Sequence, residues 1–434
     1  MSAIENEGLI SEEEFLPYIN EITEEFFKLL NMITGKPTKD WTKLYYSTLS
    51  EKAHTLESQL DDYHSRYNKT YSYFTELFAL IKWFGYSGFL QKHILVRFSR
   101  YSLDIPDELR DEFVKESKKT LKYIDKSILS LIEQLGKEAK KLKLNVPSGK
   151  STELINVDPS ERRMLPQNID YEGVVDQKHI IAELATLYKN LCESFKKIKI
   201  TRDVETESIK SQTFYEFDET KTRQFESQIH NIQSKYDTYM KSTVIESQNP
   251  SLGYLRGHAS ISLHLFEMAT ILVHFYERHE DDIRYETTKE KTSSLIPKKD
   301  LLEVLNGYVR YFGIKLFLEG EKHADEIIRT FITIECLEIK TEEGFPIHAR
   351  PLSLIAKIAL RYNTPLEIEI DGNRCNAASI MQMILLAGKS PNPKLIRFRG
   401  EDRVLKDVSD LFYSVLLKDK DLQDAPPHLK YLGQ

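Results

Sequence analysis

The chain has little of what bends or cross-links a polypeptide. Only 17 glycines and 15 prolines are spread over 434 residues. Turn-formers that scarce exclude a meander of many short strands and favour long helices. Three cysteines, Cys192, Cys336 and Cys375, lie far apart and match neither a disulfide framework nor a metal-ligand spacing, which points to a reducing cytoplasm. No apolar run approaches membrane-spanning length, so no membrane insertion is expected. The N-terminus, MSAIENEGLISEEE, is acidic and not a targeting sequence. The net charge is −7, and the basic clusters at 136–143 and 195–199 are short and interleaved with apolar residues, as on the solvated face of a helix. Nucleic acid is therefore not an expected partner.

What is present is helical periodicity. Ser11 and Glu14 have capping-box spacing, followed by Phe15, Ile19, Ile22, Phe26 and Leu29 on one side. From near Thr38 a coiled-coil-like seam runs through Leu49, Ala53, Leu56, Leu60, Tyr63, Tyr67, Phe74, Phe78 and Ile81, and FGYSG at 84–88 is expected to end it. Pro106 precedes another long helix, with Leu109, Phe113, Ile124, Ile128, Leu131, Leu135 and Leu142 as its stripe. Residues 145–172 hold three prolines and read as a connector. Helical pattern resumes over 173–199, 216–246, 253–286 and 299–318. Most of the 23 tyrosines and 21 phenylalanines fall on these stripes, where core packing accounts for them. The expectation is a long-helix bundle over 1–325, divisible near 145–172.

After about residue 327 the period changes to two. FITIECLEI, PLEIEIDGN and KLIRFRG alternate, and short helical stretches lie at 349–361, 377–387 and 402–417. Strand, helix, strand, strand, helix, strand, helix is a compact α+β unit over about 328–418, leaving a tail at 419–434.

At the join of loop and helix in GFPIHARPLSLIAKIALRY (344–362) stands His348. A helix start leaves amides without partners and carries a partial positive charge, so it favours an anion, phosphate above all. A phosphoryl group on this ring would lie over the amides of Ala349 and Arg350. The Arg350 fork suits phosphate oxygens, and Pro351 stiffens the first turn. Such an end contributes about 0.3–1 kcal/mol toward an anion, which suits a relay better than a store. The plain alternative is a histidine that only caps its helix.

IHARP (347–351) resembles the active-site segment of the histidine-containing phosphocarrier protein, HPr, of the bacterial phosphoenolpyruvate-dependent phosphotransferase system. NAASIMQMILLAG (376–388) resembles that family's regulatory-serine segment, and FRGEDRVLKDVSDLFYSVL (398–416) its last strand, turn and helix, in the same order and spacing. The resemblance implies an open-faced sandwich, a four-stranded antiparallel sheet with three helices on one face. It implies His348 as phosphoacceptor through Nδ1 and Arg350 as the phosphate-orienting side chain, with Ala349 and Pro351 supporting the helix start. Ser379 is implied as the target of an HPr kinase, or else serves as a cap hydroxyl. The implied partners are enzyme I as donor and enzyme IIA-type acceptors in sugar transport. No cofactor and no metal is implied, and the domain is a carrier and not a turnover enzyme. Pro346, Leu352 and Ala378 depart from the family's usual residues; Leu352 also opens the apolar face of the 349–362 helix with Ile355, Ile358, Ala359 and Tyr362, and its bulk bears on the fit to enzyme I.

Residues 1–325 resemble no family. Within 256–282, His264/Glu267 and His274/Glu277 form two His-x-x-Glu pairs, expected to be a partly buried polar seam of the bundle. Two functions stay open: a phosphocarrier whose helices supply docking, oligomerisation or regulation, and a regulatory interaction protein whose HPr-like domain senses phosphorylation state. An active site within the bundle is weaker still, since no nucleotide loop and no nucleophile–base set appears.

Overall fold

A computed structural model describes residues 9–148, 177–198, 217–241, 243–281, 286–340, 345–362 and 364–433. Nearly all of the expected connector at 145–172 lies outside these residues. In chain order the helices are α1 (Glu12–Thr34), α2 (Lys43–Asp62), α3 (Ser72–Arg97), α4 (Asp107–Lys141), α5 (Gln177–Lys196), α6 (Glu219–Tyr239), α7 (Val244–Gln248), α8 (Pro250–Phe275), α9 (Glu286–Leu295), α10 (Lys298–Val304), α11 (Tyr311–Glu319) and α12 (Glu321–Phe331). Then follow β1 (Glu335–Lys340), α13 (Ala349–Tyr362), β2 (Leu366–Ile370), β3 (Asn373–Asn376), α14 (Ile380–Lys389), β4 (Leu395–Gly400) and α15 (Asp402–Ser414). The chain forms two compact units, one of 1–168, 198–230 and 257–319, the other of 169–197, 231–256 and 320–434.

The first unit is all helix. The Ser11 hydroxyl accepts from the Glu14 amide while Glu14 accepts from the Ser11 amide, which closes the capping box of α1. The stripes read from sequence are its core: Phe15, Ile19, Leu49, Leu60, Phe78, Ile81, Phe113, Ile124, Ile128, Leu131 and Leu135 are buried together.

The segment FGYSG does not end a helix. It lies inside α3, where Gly85 and Gly88 face α2. A Cβ at Gly88 would sit 2.6 Å from Tyr46 Cε1, and one at Gly85 3.2 Å from Ser50 Cβ. These glycines are contact surface, because close approach of α2 and α3 leaves no room for a side chain. The sequence seam breaks earlier, between Tyr63 and Tyr71, where a short 3-10 turn over Ser65–Tyr67 separates the two helices.

A second correction concerns hydrophobic length. The stretch Pro250–Arg278 is long and apolar enough, by length and composition, to cross a bilayer. In the fold most of that window is buried within protein, as in a core helix.

The second unit carries the α+β domain. Its sheet has strand order β1-β4-β2-β3, all neighbours antiparallel, with Leu337 opposite Phe398 and Phe398 opposite Ile368. Alternation sends Ile339, Ile368, Ile370, Ile396 and Phe398 into one core with Leu352, Ile355 and Ile358 of α13, Met383 and Leu386 of α14, and Val404, Val408, Leu411 and Phe412 of α15. The opposite face is charged: Arg397 bridges Glu338 at 2.8 Å and Glu369 at 3.2 Å, and Arg374 reaches Glu369 at 2.6 Å. The Arg374 hydrogen bond is the foremost reason the Glu369 carboxyl lies below its usual range. Residues beyond 418 are part of the packing, since Leu429 and Leu432 are fully buried in the same core.

Candidate functional site

His348 is where loop becomes helix. Upstream, the Phe345 and Ile347 amides donate to the carbonyls of Pro393 and Pro391, each at 3.0 Å. The Phe345 ring is buried, with its centroid 5.4 Å from that of Phe412. Downstream, the Leu352 amide donates to the His348 carbonyl at 3.4 Å, the first bond of α13, which makes His348 its cap residue.

The imidazole is exposed. Its Nδ1 lies 3.4 Å from the Arg350 amide, which donates to it. This contact suits the tautomer with its lone pair on Nδ1, which places that atom at the helix start. Arg350 is half-exposed and extends toward the C-terminal segment, with Nη2 3.5 Å from the Lys420 carbonyl and 3.8 Å from the Asp421 carboxylate. Ala349 is exposed and opens the helix, and Pro351 is buried within its first turn.

Leu352 is 1% exposed and packs in the core. It lies on the apolar face of α13 read from sequence, and its side chain is turned into the core and away from any partner.

Ser379 caps α14, its hydroxyl accepting from the Gln382 amide at 3.4 Å. The turn before it is fixed by Asn376, whose side-chain oxygen accepts from the Ala378 amide at 2.8 Å. Helix α14 packs against α13, so both caps belong to one layer of the domain.

Sequence reading missed the outer face of α14. Ile380, Met381, Ile384 and Leu385 are 42–68% exposed, and only Met383, Leu386 and Ala387 of that helix are buried. The signal was available: IMQMILLA is apolar around its whole circumference, more than one buried face needs.

The histidine seam of the first unit resolves into separate pairs. His264 Nδ1 lies 2.9 Å from Glu267, whereas His274 pairs with Glu219 at 3.1 Å and not with Glu277, which accepts from the Glu219 amide at 3.0 Å. Buried His258 donates from Nδ1 to the Leu316 carbonyl at 2.7 Å. Among the described residues no three histidine, cysteine or acidic side chains form a metal-sized cluster.

A three-helix layer on a four-stranded antiparallel sheet, with a solvent-facing histidine capping the first helix, is an open-faced α+β sandwich. Residues 335–413 match the family model described as the PTS HPr component phosphorylation site, so the C-terminal domain is an HPr domain. The N-terminal region has no family match. Comparison with curated proteins and with solved structures gives no match. HPr-type domains are soluble phosphocarriers rather than enzymes, and such a domain implies partners within the phosphotransferase system.

Proposed function

We propose that this chain is a cytoplasmic HPr-like phosphocarrier. His348 accepts a phosphoryl group from phosphorylated enzyme I and passes it to enzyme IIA-type acceptors, while the helical units serve docking, oligomerisation or regulation. The observation that carries this reading is an exposed histidine at the start of α13 whose Nδ1 lies 3.4 Å from the Arg350 amide. In the transfer the Nδ1 lone pair forms the N–P bond as the donor keeps the electron pair of the bond that breaks. No proton need leave Nδ1 first. The phosphoryl oxygens then meet the Arg350 amide and guanidinium, with a helix end worth about 0.3–1 kcal/mol toward the charge. Ala349 leaves this approach open, and buried Pro351 holds the first turn in place.

Ser379 is the proposed regulatory site. A phosphate on its hydroxyl would meet the amides at the start of α14, yet place negative charge beside the apolar patch of Ile380, Met381, Ile384 and Leu385. That patch is the surface offered to partners, and a charged neighbour weakens apolar docking.

The test is incubation of the full chain with phosphoenolpyruvate and enzyme I, followed by assay for an acid-labile phosphate. His348→Ala abolishes labelling if the reading is right. Label that persists in this variant moves the site elsewhere, and wild-type protein that takes no label removes the carrier function.

A further inference from the structure

The second unit encloses a pocket of about 500 Å³ that the phosphocarrier reading does not use. Helix α5 contributes Lys189 and Asn190, while the strand ends contribute Glu367, Asn376 and Arg399. Ile334 and Leu360, 50% and 56% exposed, form part of the apolar wall. The size falls within the range of small-molecule sites, roughly 300–1,000 Å³.

Two groups on this wall are left without partners among the described residues. Thr364 is 5% exposed and its hydroxyl makes no hydrogen bond; Arg399 Nε is likewise buried and unbonded. Both residues line the cavity. The rest of Arg399 stays accessible, its side chain 38% exposed with Glu369 no nearer than 3.7 Å. Lys189 adds a second positive charge, shared with Asp325 at 2.6 Å. Opposing them, Glu367 is exposed and unpaired among the described residues, and Glu193 is held by Lys196 at 2.9 Å. Of the two cations lining the pocket, Arg399 has the more distant carboxylate partner, 3.7 Å against 2.6 Å for Lys189.

We propose that this pocket binds a small organic monoanion, a carboxylate with an apolar body, through the Arg399 guanidinium, with the body against Ile334 and Leu360. Phosphate and its monoesters, close to dianionic at neutral pH, are disfavoured by Glu367. Asn376 and Ala378 also line the pocket, so an occupant touches the turn that leads into the Ser379 cap.

The test is ligand-observed saturation-transfer NMR on the full chain, with phenylpropanoate, its amide and inorganic phosphate as probes. Saturable binding of the carboxylate is expected, with the amide about tenfold weaker, as loss of a charge-assisted hydrogen bond implies. Phosphate should not displace it. Arg399→Gln and the mouth-filling Leu360→Trp should each reduce binding at least about tenfold. Both positions are partly exposed, so the fold should persist, as an unchanged thermal melt would show. No binding of phenylpropanoate, equal binding of the amide, displacement by phosphate, or full binding in Arg399→Gln overturns the proposal.

Discussion

Removing the Arg350 side chain separates its two settings. In the unmodified domain its contacts are with the Lys420 carbonyl at 3.5 Å and the Asp421 carboxylate at 3.8 Å, with side chains 49% and 87% exposed. An ion pair so open and so long contributes well under about 1 kcal/mol. Arg350→Ala should therefore leave the thermal midpoint within a degree or two of wild type. Toward a phosphoryl group on Nδ1 the guanidinium makes charge-assisted hydrogen bonds of about 1.5–3 kcal/mol, and solvent exposure places the value near the lower end. That is about a tenfold loss in the rate or extent of His348 labelling by phosphoenolpyruvate and enzyme I. Arg350→Lys, which keeps the charge but loses the fork, should fall between the two. Labelling of Arg350→Ala at the wild-type rate would refute the role. Loss of fold in that variant would show that the contact with Asp421 had been undervalued.

Three further outcomes can be measured. Ser379→Ala removes a long cap bond and should cost about 0.5 kcal/mol in urea unfolding, the low end for a cap; more than 2 would mean the hydroxyl holds something else. Gly88→Ala drives a methyl into Tyr46, whose ring is pinned by its hydroxyl on Asp125, so overpacking should destabilise by about 1–3 kcal/mol, and an unchanged melt would show that α2 and α3 can separate freely. His93 is held neutral to about 4, by burial first and then by His264, Lys43 and Arg97. The unfolded chain binds its proton near 6.5, so below that pH the unfolded state holds more protons and stability falls as pH drops toward 4. After allowance for partial exposure the loss should be about 1–2 kcal/mol, and His93→Phe should flatten the profile in pH-dependent melts; an unaltered slope would refute it.

Much of the fold is legible because its periods are clean. The stripes of α1, α2 and α4 name mostly buried residues, with Ile22 and Leu142 only partly buried and Tyr63 and Tyr67 of the seam exposed, and the alternation of FITIECLEI, PLEIEIDGN and KLIRFRG marks three of the four strands. The start of α13 at Ala349 was legible from a proline-containing loop followed at once by an apolar helical stripe. What misled was local chemistry with two meanings. Glycines that ordinarily stop a helix here let two helices touch, and the ring of Tyr46 that decides between these lies some forty positions away in sequence. Leu352 is legible as part of the apolar stripe of α13, but its full burial follows only from packing. The apolar girth of α14 was visible, but which side remains uncovered was not.

The order of helices and strands in the α+β domain, the histidine at a helix start and the arginine two residues on follow from sequence alone, since periodicity and caps act over a few residues. That Arg350 reaches the segment after 418, and that Leu429 and Leu432 fill the core, are decided only when distant parts of the chain pack. The same holds for the unsatisfied Thr364 hydroxyl and Arg399 Nε beside one cavity. Burial and hydrogen-bond satisfaction belong to the assembled surroundings, and no window of sequence contains them.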